Sequence, residues 1–197
     1  MAMSEWLQIG LFFVLLLALV KPLGGYMAGV YSGEKTFLSP VVRPVESFLY
    51  RLTGASPDEE MNWKQYTLAV LMFNMAGIVF LYLILRLQHV LPFNTSGMQP
   101  IAPDQAFNAA VSFVTNTNWQ SFSGEASMSI FSQMVGFTVQ NFLSAATGMA
   151  VMMALIRGII RKQTANLGNF WVDLTRGILY ILLPLSIVLG IVLAGLG

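Results

Sequence analysis

The sequence holds 197 residues, of which 56% are hydrophobic and only 10% charged, with a mean hydropathy of +0.68. Ordinary soluble domains carry about 25% charged residues, so this composition excludes a water-facing globular fold and points to the bilayer as solvent. A net charge of +1 excludes the electrostatic footprint of a nucleic-acid-binding protein, and the absence of cysteine excludes a disulfide framework or a thiolate metal site.

A spanning helix needs roughly 20 mostly apolar residues to cross about 30 Å of hydrocarbon. The first such run extends from Trp6 to about Val20 and continues weakly to Val30. No Lys or Arg precedes it and no small-x-small cleavage site follows it cleanly, so it reads as a retained helix and not as a signal peptide. Lys21-Pro22 and Gly24-Gly25 near its end suit a bend or small-residue packing. A polar stretch from Tyr31 to Lys64 follows, punctuated by Pro40, Pro44 and Pro57, with one short amphipathic helix expected over Pro44 to Leu52. Its acidic run Asp58-Glu59-Glu60 reads as a solvated helix start. The second span runs from about Tyr66 to Leu87, and its one strongly polar interior residue, Asn74, is expected to face protein, in interhelical packing or in support of the pore.

The pattern then changes. Pro100 to Gln120 is only half-apolar. Pro103 suits a first helical turn and Asp104 the positive end of a helix. A helix from Asp104 to Val114 would be roughly 16 Å long, about half a bilayer. A helix of that length followed by polar backbone predicts a re-entrant segment and not a span. A third span is expected from about Ser127 to Ile156, closed by Arg157, Arg161 and Lys162. A fourth is expected from about Phe170 to Leu193, interrupted by Pro184. Lys21, Lys35, Arg43, Arg51 and Lys64 lie in or beside the first loop, and Arg157, Arg161, Lys162 and Arg176 around the third. The positive-inside rule therefore places both loops in the cytoplasm, the N-terminus outside and the half-helix open to the exterior.

Thr115-Asn116-Thr117-Asn118-Trp119-Gln120-Ser121 follows directly on the half-helix. Backbone that leaves helical geometry at membrane depth lines a cavity or is buried in protein. A ring of its carbonyls can replace the water shell of a potassium ion, and the negative C-terminal end of the half-helix favours a cation there. Thr and Asn side chains can hydrogen-bond such a loop and hold its carbonyls inward. The loop carries no carboxylate, which argues for a permeating monovalent ion over a divalent one. On composition alone, a polar external loop with an Asn-rich turn is the competing reading, with Trp119 as an interface anchor and Gln120 solvated.

The stretch Phe107 to Arg157, and within it the run VSFVTNTNWQS, resembles the first pore loop and following helix of the KdpA family, the potassium-binding subunit of Kdp-type potassium-transporting ATPases. RPVE (Arg43 to Glu46), NWKQY (Asn62 to Tyr66) and LPFN (Leu91 to Asn94) fit the same family. The resemblance implies an all-α membrane protein of the potassium-transporter superfamily, built from four helix–pore-loop–helix repeats. It implies that Thr115, Asn116, Thr117 and Asn118 form one quarter of a selectivity filter, with Trp119, Gln120 and Ser121 at its mouth. It implies residence in the bacterial inner membrane. It also implies handover of external K+ to a separate P-type pump subunit that hydrolyses ATP, within a complex holding small accessory subunits.

On this reading residues 1–63 are the first helix and cytoplasmic loop, 64–160 one complete repeat, and 161–197 the first helix of a second, incomplete repeat, so the chain is a truncated form or fragment. Asn62-Trp63 and Asn169-Phe170-Trp171 open comparable spans. A secondary potassium transporter of the same superfamily would share the filter physics, but the TNTNWQS loop favours the pump-linked family. A structural or assembly role without transport is the third reading. The chain itself is expected to be non-catalytic and to need no cofactor, K+ being cargo. It has no GxxxxGK[ST] phosphate loop and no phosphorylatable-aspartate motif. His89 reads as interfacial, and Glu125 and Asp173 show no evident partner for acid–base work. The methionines of the spans read as lipid-facing or packing residues.

Overall fold

The computed structural model describes residues 3–162 and 164–197, and these are helical apart from loops and one isolated antiparallel bridge between Asn62 and Asn166. Four helical stretches are long and apolar enough to cross a membrane: Glu5–Ser32, Trp63–Leu87, Ser132–Ile160 and Phe170–Leu196.

Helix α1 (Met3–Ser32) is one continuous helix with Pro22 inside it, so it does not weaken at Val20 as the composition suggests. Gly24 and Gly25 face open space and make no close helix contact. Helix α2 (Ser39–Thr53) begins well before Pro44, because Pro40 occupies its first turn, where the missing N–H costs nothing. It ends on Gly54 in the left-handed region, whose amide donates to the Tyr50 carbonyl.

Helix α3 (Trp63–Leu87) starts at a capping box: the Asn62 side chain accepts from the Lys64 and Gln65 amides, and the Gln65 side chain accepts from the Asn62 amide. The acidic run Asp58-Glu59-Glu60 is therefore not a helix start. Glu60 pairs with Arg161 at 2.7 Å, and the Glu59 carbonyl accepts from Asn169. Among the described residues, half-buried Asn74 makes no side-chain hydrogen bond to another helix. Its amide donates to the Val70 carbonyl one turn back, which satisfies the group within its own helix.

Helix α4 (Pro103–Val114) packs along α3, with Ala106, Ala109 and Ala110 buried against Leu81 and Leu85. A single turn, α5 (Gly124–Ser127), follows. The third span opens at Ser132, five residues later than the composition suggests, as a π-helical segment Ser132–Thr138 that continues into α6 (Val139–Ile160). Gly136 lets this segment press onto α3: a methyl group there would stand 3.0 Å from Leu81 Cδ1. The fourth span is α7 (Phe170–Arg176), a π-helical segment Gly177–Leu182, and α8 (Leu183–Leu196). Pro184 does not break it. The proline cannot donate to the ladder, and it sits in the first turn of α8, directly after the widened π turn.

The basic ends of the spans are tied together by buried ion pairs. Arg157 on α6 meets Asp173 on α7 in a two-pronged contact, with 2.8 Å between Nη2 and Oδ1, and Asp173 is 1% exposed. The Tyr66 hydroxyl lies 3.0 Å from Asp173 Oδ2. Asp173 thus has partners that the linear sequence hides. Arg176 pairs with Glu46 of α2 at 3.0 Å, and the Tyr50 and Tyr180 hydroxyls donate to the same carboxylate.

Candidate functional site

Two anchors place α4 relative to the spans. At its start, the Ile101 amide donates to the Leu85 carbonyl and the Arg86 guanidinium to the Ile101 carbonyl, which fixes the entry beside the C-terminal end of α3. At its finish, a methyl group added to Gly77 would stand 3.4 Å from Val114 Cγ2 and 3.2 Å from Gln140 Nε2. Gly77 lies near the middle of the 25-residue α3. The helix therefore runs from one end of the spans to about half their depth.

The chain then returns. Gln88, fully buried, donates to the carbonyls of Gln99 and Ser127 and accepts from the Ser129 amide and the Ser132 hydroxyl. One amide side chain at the end of α3 thus holds both the incoming segment and the outgoing one. A single Gln suits this because it offers two donors and two acceptor lone pairs.

The turning point is Thr115 to Asn118. Asn116 and Asn118 take left-handed backbone, with φ of 61° and 60°. Asn tolerates this region better than other non-glycine residues. The resulting kinks fold the loop amides back onto the end of α4: Thr117 and Asn118 both donate to the Ser112 carbonyl, at 2.9 and 3.3 Å, and Asn116 donates to Phe113. The Trp119 amide donates to the Ser112 hydroxyl at 2.9 Å. By contrast, no backbone or side-chain donor among the described residues reaches the carbonyls of Thr115, Asn116, Thr117 or Asn118. The donors are consumed inward and four successive acceptors are left over.

Side chains brace the turn. Thr115 Oγ1 donates to the Val111 carbonyl and lies 3.2 Å from Thr117 Oγ1. Asn118 Nδ2 donates to Asn116 Oδ1, which also accepts from Ser144 Oγ of α6 at 3.2 Å. Ser144, like Gly77, lies near mid-span. Trp119, Gln120 and Ser121 follow on the exposed return segment, Trp119 being half-exposed. Asp104, Asn108, Ser112, Thr115, Thr117 and Trp119 share an open groove of about 460 Å³ along α4. Further along the return, Ser123 donates to Glu125 at 2.7 Å, and this hydrogen bond holds the exposed carboxyl below its usual range.

The seven residues Thr115 to Ser121 are consecutive in the chain and form the turn after α4 and the start of its exposed return. Ser112, Ser144 and Gln88 were missed. A serine in an apolar helix carries no signal of its own, because its role depends on a partner the fold brings to it. Among the described residues no group of three His, Cys, Asp or Glu could hold a metal ion. The groups the loop leaves unpaired are neutral carbonyl oxygens, which can in general ligate a monovalent cation.

A family model described as the potassium-transporting ATPase A subunit matches residues 10–197. Among curated relatives, a protein of Methylorubrum extorquens is 56% identical over 97% of this chain, one of Granulibacter bethesdensis 54% over 97%, and one of Geobacter metallireducens 54% over 100%. Each is named a potassium-transporting ATPase potassium-binding subunit. The chain covers 34% of the length of each of these three.

Proposed function

The chain belongs to the potassium-transporting ATPase A subunit family, and from that premise we propose that it supplies one wall of a potassium-selective filter. The observation that carries this reading is the set of four carbonyls at Thr115, Asn116, Thr117 and Asn118, without internal donors, at the tip of a helix that reaches half the depth of the spans. The C-terminal end of α4 adds its partial negative charge at the same point. Carbonyls held in this way can exchange for the water shell of K+, and the absence of a carboxylate keeps the ion weakly enough bound to pass on.

In this proposal α4 is a re-entrant pore helix within the repeat 64–160, and Trp119, Gln120 and Ser121 form the filter mouth. Residues 1–63 precede the repeat and 161–197 begin the next. The basic loops face the cytoplasm of a bacterial inner membrane, with the N-terminus outside. The filter is completed by further loops of the longer protein. K+ taken from outside passes to a separate ATP-hydrolysing P-type pump subunit, held with small accessory subunits, while this subunit performs no chemistry and needs no cofactor.

The test is Gln120→Arg in the full-length subunit with its pump partner. A fixed cation at the mouth raises the apparent KM for K+ uptake by about tenfold or more, the size of one screened charge–charge contact. An unchanged KM contradicts the reading.

A further inference from the structure

We propose that α2 is an interfacial helix whose outer apolar stripe lies in the anionic bilayer surface at the basic ends of the spans. The stripe is Val41, Val45, Phe48 and Leu52, spaced four, three and four residues apart, one face of a helix with 3.6 residues per turn. All four are exposed, Val41 by 75% and Leu52 by 72%. Phe37, in the turn just before the helix, is a further apolar side chain at this end and is 79% exposed. Stripes of this kind on soluble surfaces mark contact sites.

The setting of α2 about its own axis is fixed by its other side. Glu46 is held by Arg176 and Tyr180 of the fourth span, so the helix cannot roll the stripe inward. A third face carries Arg43, Ser47 and Arg51, all exposed. The one acidic residue of the helix is the buried, paired Glu46, so the charge it presents outward is wholly positive. An apolar stripe beside a basic face is the pattern of helices that lie in the headgroup region and favour anionic lipid.

Position selects the bilayer as the occupant. The connector Gly33 to Leu38 spans at most about 20 Å, so α2 stays at the membrane end of α1. Phe37 stacks on Tyr26 of α1 at 5.4 Å between ring centres. Phe37 also joins Leu19, Leu23, Pro184 and Leu185 in an apolar groove of about 320 Å³ between the first and fourth spans. The stripe is thus continuous with surface that the two spans turn to hydrocarbon. The inference rests on the span assignment and uses nothing of the loop after α4, so the two readings fail separately.

The chain has no cysteine, which allows single spin labels at Val41→Cys, Val45→Cys, Phe48→Cys and Leu52→Cys, with Ser47→Cys and Arg51→Cys on the polar face. All six positions are exposed, so the fold is not disturbed. The 197-residue chain is reconstituted in phosphatidylcholine vesicles with and without phosphatidylglycerol, and collision rates with oxygen and a water-soluble nickel chelate are measured. The oxygen-to-nickel ratio at the four stripe positions is expected to exceed that at the two polar positions by at least about threefold, and to rise with phosphatidylglycerol. Equal ratios at all six positions would overturn the proposal. So would immobilised stripe labels shielded from both reagents, in this chain or in a cysteine-free full-length protein, since a protein would then cover the stripe.

Discussion

Ser144, on α6, donates its hydroxyl to Asn116 Oδ1 at 3.2 Å and so ties the turn after α4 to a neighbouring span. The bond holds a left-handed asparagine in a loop whose carbonyl directions depend on that conformation. One neutral hydrogen bond contributes about 1 kcal/mol net. Ser144→Ala in the full-length subunit is therefore expected to weaken K+ affinity by about fivefold, at 1.4 kcal/mol per tenfold. Ser144→Thr, which keeps the hydroxyl, should stay near the parent. Affinity read from the K+ dependence of uptake checks both.

Arg157 and Asp173 bind each other in a buried, two-pronged contact that joins α6 to α7. Removing one partner strands the other. Asp173→Leu should destabilise the fold by about 3–5 kcal/mol, while Arg157→Met combined with Asp173→Leu should recover most of that loss. Equilibrium unfolding in mixed micelles measures the difference, and a double variant no more stable than the single would count against a buried pair.

Glu46 gives the fold an acid limit. Burial alone would raise its pKa, but the Tyr50 and Tyr180 hydroxyls and the Arg176 guanidinium more than offset this and hold it below its ordinary 4.5. Burial, and then the Glu46 carboxylate, push the Tyr50 phenol above its ordinary range, so it remains a donor. A carboxyl with a lowered folded-state pKa contributes stability above the unfolded value and loses it as pH falls through the folded one. Stability should be flat through neutral pH and decline below about pH 4.5, the unfolded carboxyl range. Glu46→Gln should be less stable at pH 7 with a shallower acid limb, a contrast that denaturant midpoints across pH 3 to 7 would show.

Much of this architecture is legible in the linear sequence because its determinants are local. Span length is written in apolar runs. The start of α4 is marked by Pro103 and Asp104, and its end by the switch from Ser112-Phe113-Val114 to Thr115-Asn116. What stays hidden depends on partners distant in the chain. Asp173 looks isolated until the loop after α6 folds it against Arg157. Ser112 looks like helix filler until its carbonyl collects the amides of Thr117 and Asn118. Asn74 shows the opposite case, a polar group whose hydrogen bond is local. A polar residue in a span demands a partner, but a partner one turn away at Val70 serves as well as one on another helix. Pro184 signals an interruption by its chemistry, yet the preceding π turn absorbs it and the span continues.

Carbonyl-carbon NMR of the full-length subunit, labelled at Thr115, Asn116, Thr117 and Asn118, tests the filter assignment most directly. On titration with K+ against constant ionic strength, these four resonances should shift together and saturate, while equal Na+ leaves them near their starting positions. Carbonyls that respond identically to both ions, or to neither, would contradict the assignment of this loop as a potassium ligand.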